Sequence, residues 1–390
     1  MISRLPLFVI ALLTIASTAQ AQERVKDVLA FLVTNQSVDT GSVERDSAAA
    51  EATSRTISRA VLVNLATLPV SSTSGAFAYR LNPALGTVER STQTFPPTFV
   101  DRAGTSGAGT AGFGVTFQHL HFTALDGRSL RNGSLVTTAN QFADEPDPFD
   151  VDRLTLNIDA DIATVYANIG LGNRIDIGAA APVVLLRING SRVNTYRGRE
   201  FTQATAQAQA VGLADVLVRG KATLFDEDGG SLAAAVDVRL PTGRSADLLG
   251  AGSASVKVAA LGSLEGANAA AHANLGVGRG GLANELTYGG AVAIAATPAF
   301  TVGVEAFGRR VDTPGDIVTM AQPHPTLPGV DTLRLLPGTR ALTTFTVAPG
   351  IRWNLTGTWV LVGTVGVPLL RGGLRAPLLP FAGLEYAMGR

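Results

Sequence analysis

The sequence predicts an all-β protein: a single antiparallel transmembrane β-barrel of about 12 strands, with about 14 as the alternative count, and a short N-terminal helical segment. Three observations predict this fold. An export signal opens the chain, side chains alternate between apolar and polar from residue 111 onward, and the links between strands alternate in length. We therefore divide the chain into a signal peptide (1–21), a helical and irregular plug or cap segment (22–110) and the outer-membrane barrel (111–390).

The start of the chain has the three parts of a secretory signal peptide. Arg4 supplies the basic region, Leu5 to Ile15 form the apolar run, and Ala19-Gln20-Ala21 fits a cleavage site. An apolar run of about 11 residues is too short for a membrane anchor, which needs about 20. No later run of about 18 apolar residues follows, so we expect export without a transmembrane helix.

The composition excludes several classes of protein. Lys and Arg number 31 against 31 Asp and Glu, so the chain lacks the basic excess with which a nucleic-acid binder displaces counterions. It has no cysteine, which excludes disulfide scaffolds, thiolate metal sites and thiol nucleophiles. With 46% hydrophobic and only 16% charged residues, the chain has enough apolar surface to fold.

The stretch from residue 23 to about 68 is predicted to be helical. Apolar residues recur at spacings of four and three from Ile57 to Leu68, and Pro69 ends the pattern. We expect this helix to plug the barrel, with Arg55 and Arg59 pairing with carboxylates of the lumen. The alternative is a periplasmic cap.

Twelve strands follow, in which charged residues keep to one face of each strand. In the clearest, from Arg153 to Ile162, one face is apolar and the other carries Arg153, Asp159 and Asp161. We place the strands near residues 111–124, 153–170, 174–188, 212–225, 231–241, 253–264, 267–277, 283–297, 299–311, 341–354, 357–368 and 376–389.

Short turns after the even-numbered strands and mostly longer links after the odd-numbered ones are typical of an outer-membrane barrel. Hydrocarbon offers backbone groups no hydrogen-bond partner, so a sheet crosses it only when closed. The alternative is an exported β-sandwich or β-solenoid, but its core needs larger side chains than the Ala- and Val-rich faces here. Two observations oppose the barrel: aromatic residues make up only 6%, and the last strand ends at Arg390 without a terminal aromatic.

The polar faces predict the lining of the lumen. Arg or Lys facing lipid at mid-bilayer would cost about 2 to 4 kcal/mol, so charged side chains should point inward. The candidates for a substrate path are Arg153, Asp159, Asp161, Asp176, Asp215, Arg219, Lys221, Asp237, Arg239, Lys257, Glu305, Arg309 and Arg352. Their mixed signs fit a hydrated passage and, equally, a salt-bridged network that fills a narrow barrel.

Motifs for chemistry are weak. His119 and His121 share one strand face, as two metal ligands would, but no third ligand is evident, so we interpret them as polar lumen or rim residues. No Gly-x-Ser-x-Gly elbow is found, and Gly250-Ala-Gly-Ser253 lacks the spacing of a phosphate cradle. We expect no catalysis, no cofactor and no metal.

The C-terminal half carries a recognisable pattern. Gly212-Leu-Ala-Asp215 precedes a charged strand, an Asp226-Glu-Asp-Gly-Gly230 turn and Asp237-Val-Arg-Leu-Pro-Thr-Gly243 with Leu248-Leu-Gly-Ala-Gly252. With His272-Ala-Asn-Leu-Gly276, these residues resemble the outer-membrane channel family associated with the MetA pathway of phenol degradation. Upstream, Ala78-Tyr-Arg-Leu-Asn-Pro83 is similar to the long-chain fatty-acid channels, whose N-terminal segment plugs the barrel. The resemblance implies transport of hydrophobic compounds.

The functional hypothesis is a passive channel of the cell outer membrane for small, hydrophobic or aromatic compounds. Its expected partners are outer-membrane lipid, the barrel-assembly machinery and a small hydrophobic solute, with no nucleic acid. The alternative is a structural or adhesive barrel with a closed lumen whose external loops bind a partner.

Overall fold

The computed structural model describes residues 24–33, 53–63, 79–82, 87–90, 93–227, 229–312, 316–324 and 326–388. The predicted signal peptide and much of the predicted N-terminal helix lie outside these ranges. Within them, α1 spans Val25–Val33, residues 53–63 are helical, and Ser245–Asp247 form a 3₁₀ turn. No described helix is long and apolar enough to cross a membrane.

Twelve antiparallel strands close into one barrel. Each strand pairs with its neighbours in sequence, and the ring is completed because the first strand pairs with both the second and the twelfth. The strands are β1 (Ala111–Phe122), β2 (Asp150–Gly170), β3 (Ile175–Tyr196), β4 (Val216–Glu227), β5 (Gly230–Leu240), β6 (Ser255–Glu265), β7 (Ala269–Gly280), β8 (Glu285–Thr297), β9 (Phe300–Val311), β10 (Leu342–Asn354), β11 (Trp359–Pro368) and β12 (Leu379–Met388). The predicted fold class is confirmed, and a two-sheet sandwich is excluded.

The outer surface of the barrel is an apolar belt. Outward side chains such as Val115, Val236 and Val302 are exposed, whereas the inward residues between them are buried. Phe113, Trp359 and Tyr386 cluster at the end with short turns, with ring centroids 4.9 to 6.2 Å apart. This aromatic cluster marks one border of the belt, although the chain has few aromatic residues.

The polarity of the two faces inverts partway along β1, β2 and β3. On β2 the outward residues change from Val165, Ala167 and Ile169 to the polar Asp161 and Asp159, while the inward ones become apolar. The register with β3 is unbroken over this stretch, so no bulge causes the change. The surroundings change instead: below this level oil lies outside the wall, and above it water does.

This inversion corrects part of the predicted lumen. Arg153, Asp159 and Asp161 point outward above the apolar belt, and Leu154 and Leu156, which alternate with them, are fully buried inside. The assignment of these three charged residues to the lumen was wrong, because the sequence alternation was extended with one phase through two environments.

The sheet continues above the barrel wall at the long-link end, in a part that we call the external cap. The upper halves of β2 and β3 form its centre, flanked by strands that the sequence analysis left in links: Leu135–Phe142, Val330–Pro337 and Ile317–Pro323 on one side and Arg199–Leu213 on the other. Short strand pairs also occur at Tyr79–Asn82 with Thr87–Arg90 and among Ala124–Leu125, Arg128–Ser129 and Leu374–Arg375.

The inner face of the external cap covers both N-terminal helices. Val28, Leu29 and Leu32 of α1 and Ile57 of the second helix pack into one apolar core with the inward residues of β2 and β3. Val25, Val28, Leu29, Leu32 and Val33 are all buried, which explains why this short segment is helical: tertiary burial stabilises it. The helices therefore lie at the external mouth.

Candidate functional site

Residues 93–110, which we call the plug, run through the lower part of the lumen. Glu305 of β9 provides its main anchor. The carboxylate accepts hydrogen bonds from three successive backbone N–H groups, those of Thr98 (2.6 Å), Phe99 (2.7 Å) and Val100 (2.8 Å). A buried carboxylate satisfied by backbone donors of a neighbouring segment fixes that segment in place.

Beside this anchor, two further contacts hold the plug. Arg352 of β10 pairs with Glu385 of β12 at 2.7 Å and donates to the carbonyl of Pro97 at 3.1 Å. The hydroxyls of Thr98 and Thr364 lie 2.9 Å apart. The cation therefore binds both the wall and the plug.

The plug continues across the lumen by a chain of ion pairs. Arg219 of β4 binds Asp101 of the plug at 2.6 Å and Asp237 of β5 at 2.7 Å. Lys257 of β6 lies 3.0 Å from the same Asp237 carboxylate. Burial lowers the pKa of the neighbouring Arg102 guanidinium of the plug, while the carboxylates of Glu265 and Asp176 act in the opposite direction.

Near the short-turn end, backbone groups of the plug bind side chains of the wall. Lys221 donates to the carbonyl of Gly104 at 2.7 Å, and Asp176 accepts from the N–H of Ser106 at 2.9 Å. At Gly170 the backbones of β2 and the plug are in close contact, since a Cβ there would lie 1.9 Å from the carbonyl oxygen of Gly107. Most of these contacts join the polar backbone of the plug to side chains of the wall, rather than apolar surfaces.

Above the plug, a cavity of about 220 Å³ remains in the lumen, which we call the chamber. Its floor is the plug at Phe99 to Asp101, and its roof includes the link between β11 and β12. Its wall is both apolar and charged and includes Phe122, Leu217, Arg219, Asp237, Arg239, Lys257, Glu285, Thr287, Phe307, Arg309, Thr346, Leu374, Arg375 and Leu379.

The other predicted lumen residues occupy three kinds of position. Arg219, Asp237, Arg239, Lys257 and Arg309 line the chamber. Lower in the lumen, Asp176, Lys221, Glu305 and Arg352 hold the plug. Asp215 does neither.

Asp215 instead organises the external link between β5 and β6. Its carboxylate accepts the N–H groups of Gly243 at 3.0 Å and Ala251 at 2.7 Å. A Cβ at Gly250 would lie 2.4 Å from Asp215 Oδ1, which requires glycine there. The Leu-Pro-Thr-Gly corner and the Leu-Leu-Gly-x-Gly loop are therefore one structural unit built around this aspartate.

His119 and His121 do not face the lumen. Both point outward just above the apolar belt, where His119 Nδ1 lies 2.6 Å from Asp161 and His121 Nδ1 contacts Asp159. Arg187 binds the same Asp161 at 2.5 Å. In the described part of the chain, no group of three or more His, Asp or Glu side chains is arranged to hold a metal ion.

The helix predicted as a plug lies elsewhere. Arg59 donates to the carbonyl of Leu282 in the link between β7 and β8, and Arg55 lines a separate cavity at the external mouth. Residues 93–110 belong to the predicted plug or cap segment (22–110), but the plug itself was expected to be the helix rather than this stretch. Their one signal was composition: Pro96 and Pro97 and a run of small residues indicate irregular backbone, which needs hydrogen-bond donors and acceptors from its surroundings.

Closure, the apolar outer belt and the polar interior identify an outer-membrane β-barrel, with the short turns at its periplasmic end. No protein-family model matches the chain, and no curated protein matches it.

Solved structures share the barrel architecture at low identity. The COG4313 outer membrane channel from Pseudomonas putida F1 is 12% identical, with a TM-score of 0.47 over 73% of this chain and 98% of that chain. The transport unit of the autotransporter AIDA-I from Escherichia coli is 11% identical (TM-score 0.36, 72% and 90%), and OmpF of Salmonella typhi is 8% identical (TM-score 0.31, 72% and 98%). At these values the fold assignment rests on the strand pairing itself, and the resemblance to the MetA-associated family stays a prediction.

Proposed function

We propose that the protein is a gated channel for passive uptake of small hydrophobic or aromatic compounds, as in the family associated with the MetA pathway that it resembles. The observation that carries the proposal is the chamber, a partly apolar cavity in the lumen between the external mouth and the plug. A solute that reaches the chamber meets Phe99, Phe122 and Phe307, and the plug lies between it and the periplasmic end.

The way the plug is held supports a gate. Its backbone is bound at Thr98, Phe99 and Val100 by one carboxylate and at Pro97 by one guanidinium. Water can replace such partners when the segment leaves, whereas an apolar interface would lose its burial. The proposed partners remain the outer-membrane lipid around the belt, the barrel-assembly machinery and the solute. We also propose that the protein catalyses no reaction.

The test is uptake of a radiolabelled phenol by cells carrying the protein in their outer membrane, with a disaccharide as the control solute. We expect the phenol to enter these cells faster than it enters cells without the protein, and the sugar to enter both at the same rate. A variant lacking residues 23–68 keeps the plug and should stay closed to ions in planar bilayers, whereas one lacking 23–108 should conduct. A phenol entry rate equal to that of cells without the protein would contradict the proposal.

The second candidate is a surface barrel whose closed lumen is structural. The external cap favours it, because a six-stranded sheet above the mouth offers a large surface to a partner. Absence of ion conductance and solute entry with or without residues 23–108 would favour this function.

A further inference from the structure

Phe99 is the aromatic residue with which the plug lines the chamber. Its ring lies beside two rings of the barrel wall. The centroid distance is 4.9 Å to Phe307 of β9, at an interplanar angle of 44°, and 5.2 Å to Phe381 of β12, at 69°. Tilted and edge-to-face arrangements at such distances are favourable for aromatic pairs. Phe99 therefore occupies a position that suits a single aromatic ring.

This position adjoins the anchor of the plug. The backbone N–H of Phe99 donates to Glu305 Oε2 at 2.7 Å. Glu305 and Phe307 are two residues apart on β9, so their side chains share the inward face of that strand. The ring of Phe99 and its N–H thus contact neighbouring side chains of one strand. Phe99 joins the chamber directly to the bond that holds the plug.

Release of the plug at Phe99 would expose apolar surface. Water can satisfy the Glu305 carboxylate and the N–H groups of the plug, but covering the rings of Phe307 and Phe381 with water is unfavourable. Phe381 belongs to a buried cluster with Val360 and Val362, against which Phe99 packs. This cost keeps Phe99 in place. An aromatic solute would remove the cost, because its ring covers the same surface.

We propose that the position beside Phe307 and Phe381 is a binding site for one uncharged aromatic ring, and that Phe99 occupies it until a solute takes its place. The chamber of about 220 Å³ has room for the solute before the exchange, since an engineered cavity of about 150 Å³ binds benzene. An anionic ring would bury its charge next to the Glu305 carboxylate, so the ligand class is neutral single-ring compounds such as phenol.

The site also explains how the gate would respond to its solute. A ligand that binds the released state better than the closed one shifts the equilibrium toward release. The solute that takes the place of Phe99 therefore opens its own path. The inference rests on the proposed uptake function and adds its regulation: the plug moves in response to the compound that passes.

The experiment is single-channel recording of the full chain in planar bilayers, with phenol and cyclohexanol as probes. Phenol should raise the open fraction of the parent protein. Cyclohexanol has a ring of similar size without π electrons, so it should need a concentration about fivefold higher for the same effect, because an aromatic pair contributes about that factor beyond burial.

Two alanine variants test the exchange. Phe99→Ala empties the position while the plug keeps its backbone contacts. Phenol should then bind the closed state in the space left by the ring and lower the open fraction instead of raising it. Val100→Ala, the truncation of the next plug residue, is the matched control. It should open more often than the parent and open further when phenol is added.

A milder variant covers the case in which Phe99→Ala does not fold, as judged by heat-modifiable migration on a gel. Phe307→Leu keeps an apolar side chain but removes one ring of the site, so the preference for phenol over cyclohexanol should shrink. An unchanged preference would place the solute elsewhere and overturn the inference.

The remaining outcomes separate the two proposals. If phenol raises the open fraction of Phe99→Ala as much as that of the parent, Phe99 has only a structural role and the exchange is wrong. Equal potency of phenol and cyclohexanol on the parent would overturn the aromatic site. With either result, faster phenol entry into cells would leave the uptake proposal standing. Phenol that neither changes the open fraction nor enters cells faster would count against both proposals.

Discussion

Replacing Glu305 by Gln should release the plug. The carboxylate accepts one N–H at Oε1 and two at Oε2, and the side chain is only 4% exposed. Glutamine keeps one acceptor oxygen, but its NH₂ group faces at least one backbone N–H from which it cannot accept a hydrogen bond. Hydrogen bonds to charged groups contribute about 1.5 to 3 kcal/mol each, so losing one or two weakens the anchor by about 3 kcal/mol. That corresponds to a change of about 100-fold in the ratio of released to bound plug.

The assay is single-channel recording in planar bilayers. Glu305→Gln should spend a much larger fraction of time in a conducting state than the parent protein. Glu227→Gln, at the exposed turn between β4 and β5, is the control and should record like the parent. Heat-modifiable migration on a gel shows that each barrel is folded. A folded Glu305→Gln protein that stays as closed as the parent would refute the reasoning.

Two further predictions test the wall. Val165→Arg places a cation in the apolar belt and should destabilise the barrel by about 2 to 4 kcal/mol. Thr155→Arg, on the same face of β2 above the inversion, should cost almost nothing. Equal losses of stability in urea unfolding from lipid vesicles would contradict the inversion. Gly170→Ala should lower the thermal transition, at a cost of about 1 to 3 kcal/mol, because its Cβ meets the Gly107 carbonyl, whereas Gly172→Ala has open space; a transition equal to that of Gly172→Ala would mean that the plug does not pass there.

The barrel could be predicted from sequence because its alternation comes from one strong physical difference. On β5, Val236 faces oil and Asp237 faces the polar lumen, and Val302 and Glu305 of β9 repeat that contrast. Apart from the external end of β3, which reaches Tyr196 instead of residue 188, the observed strand ends lie within about four residues of the predicted ones. The short turns fix the strand ends at the periplasmic side.

The external part and the plug could not be predicted in the same way. Above the belt, apolar and polar residues of β2 still alternate, but apolar ones such as Leu156 now face inward and polar ones such as Asp159 face outward. No local feature of the sequence marks that change. Residues 93–110 show no hydrophobic period. The contacts that hold them use backbone N–H and C=O groups, which do not depend on the side chain. Their partners, such as Glu305, lie more than 200 residues away in sequence.

In the proposed channel, solute passes only when the plug moves. The chain has no cysteine, and the hydroxyls of Thr98 and Thr364 lie 2.9 Å apart, so Thr98→Cys with Thr364→Cys creates one disulfide between the plug and β11. The measurement is phenol entry into cells carrying this variant, oxidised and then reduced, with disulfide formation checked on a gel. We expect no protein-dependent entry in the oxidised state and recovery to the parent rate after reduction. Entry at the parent rate with the disulfide fully formed would contradict it.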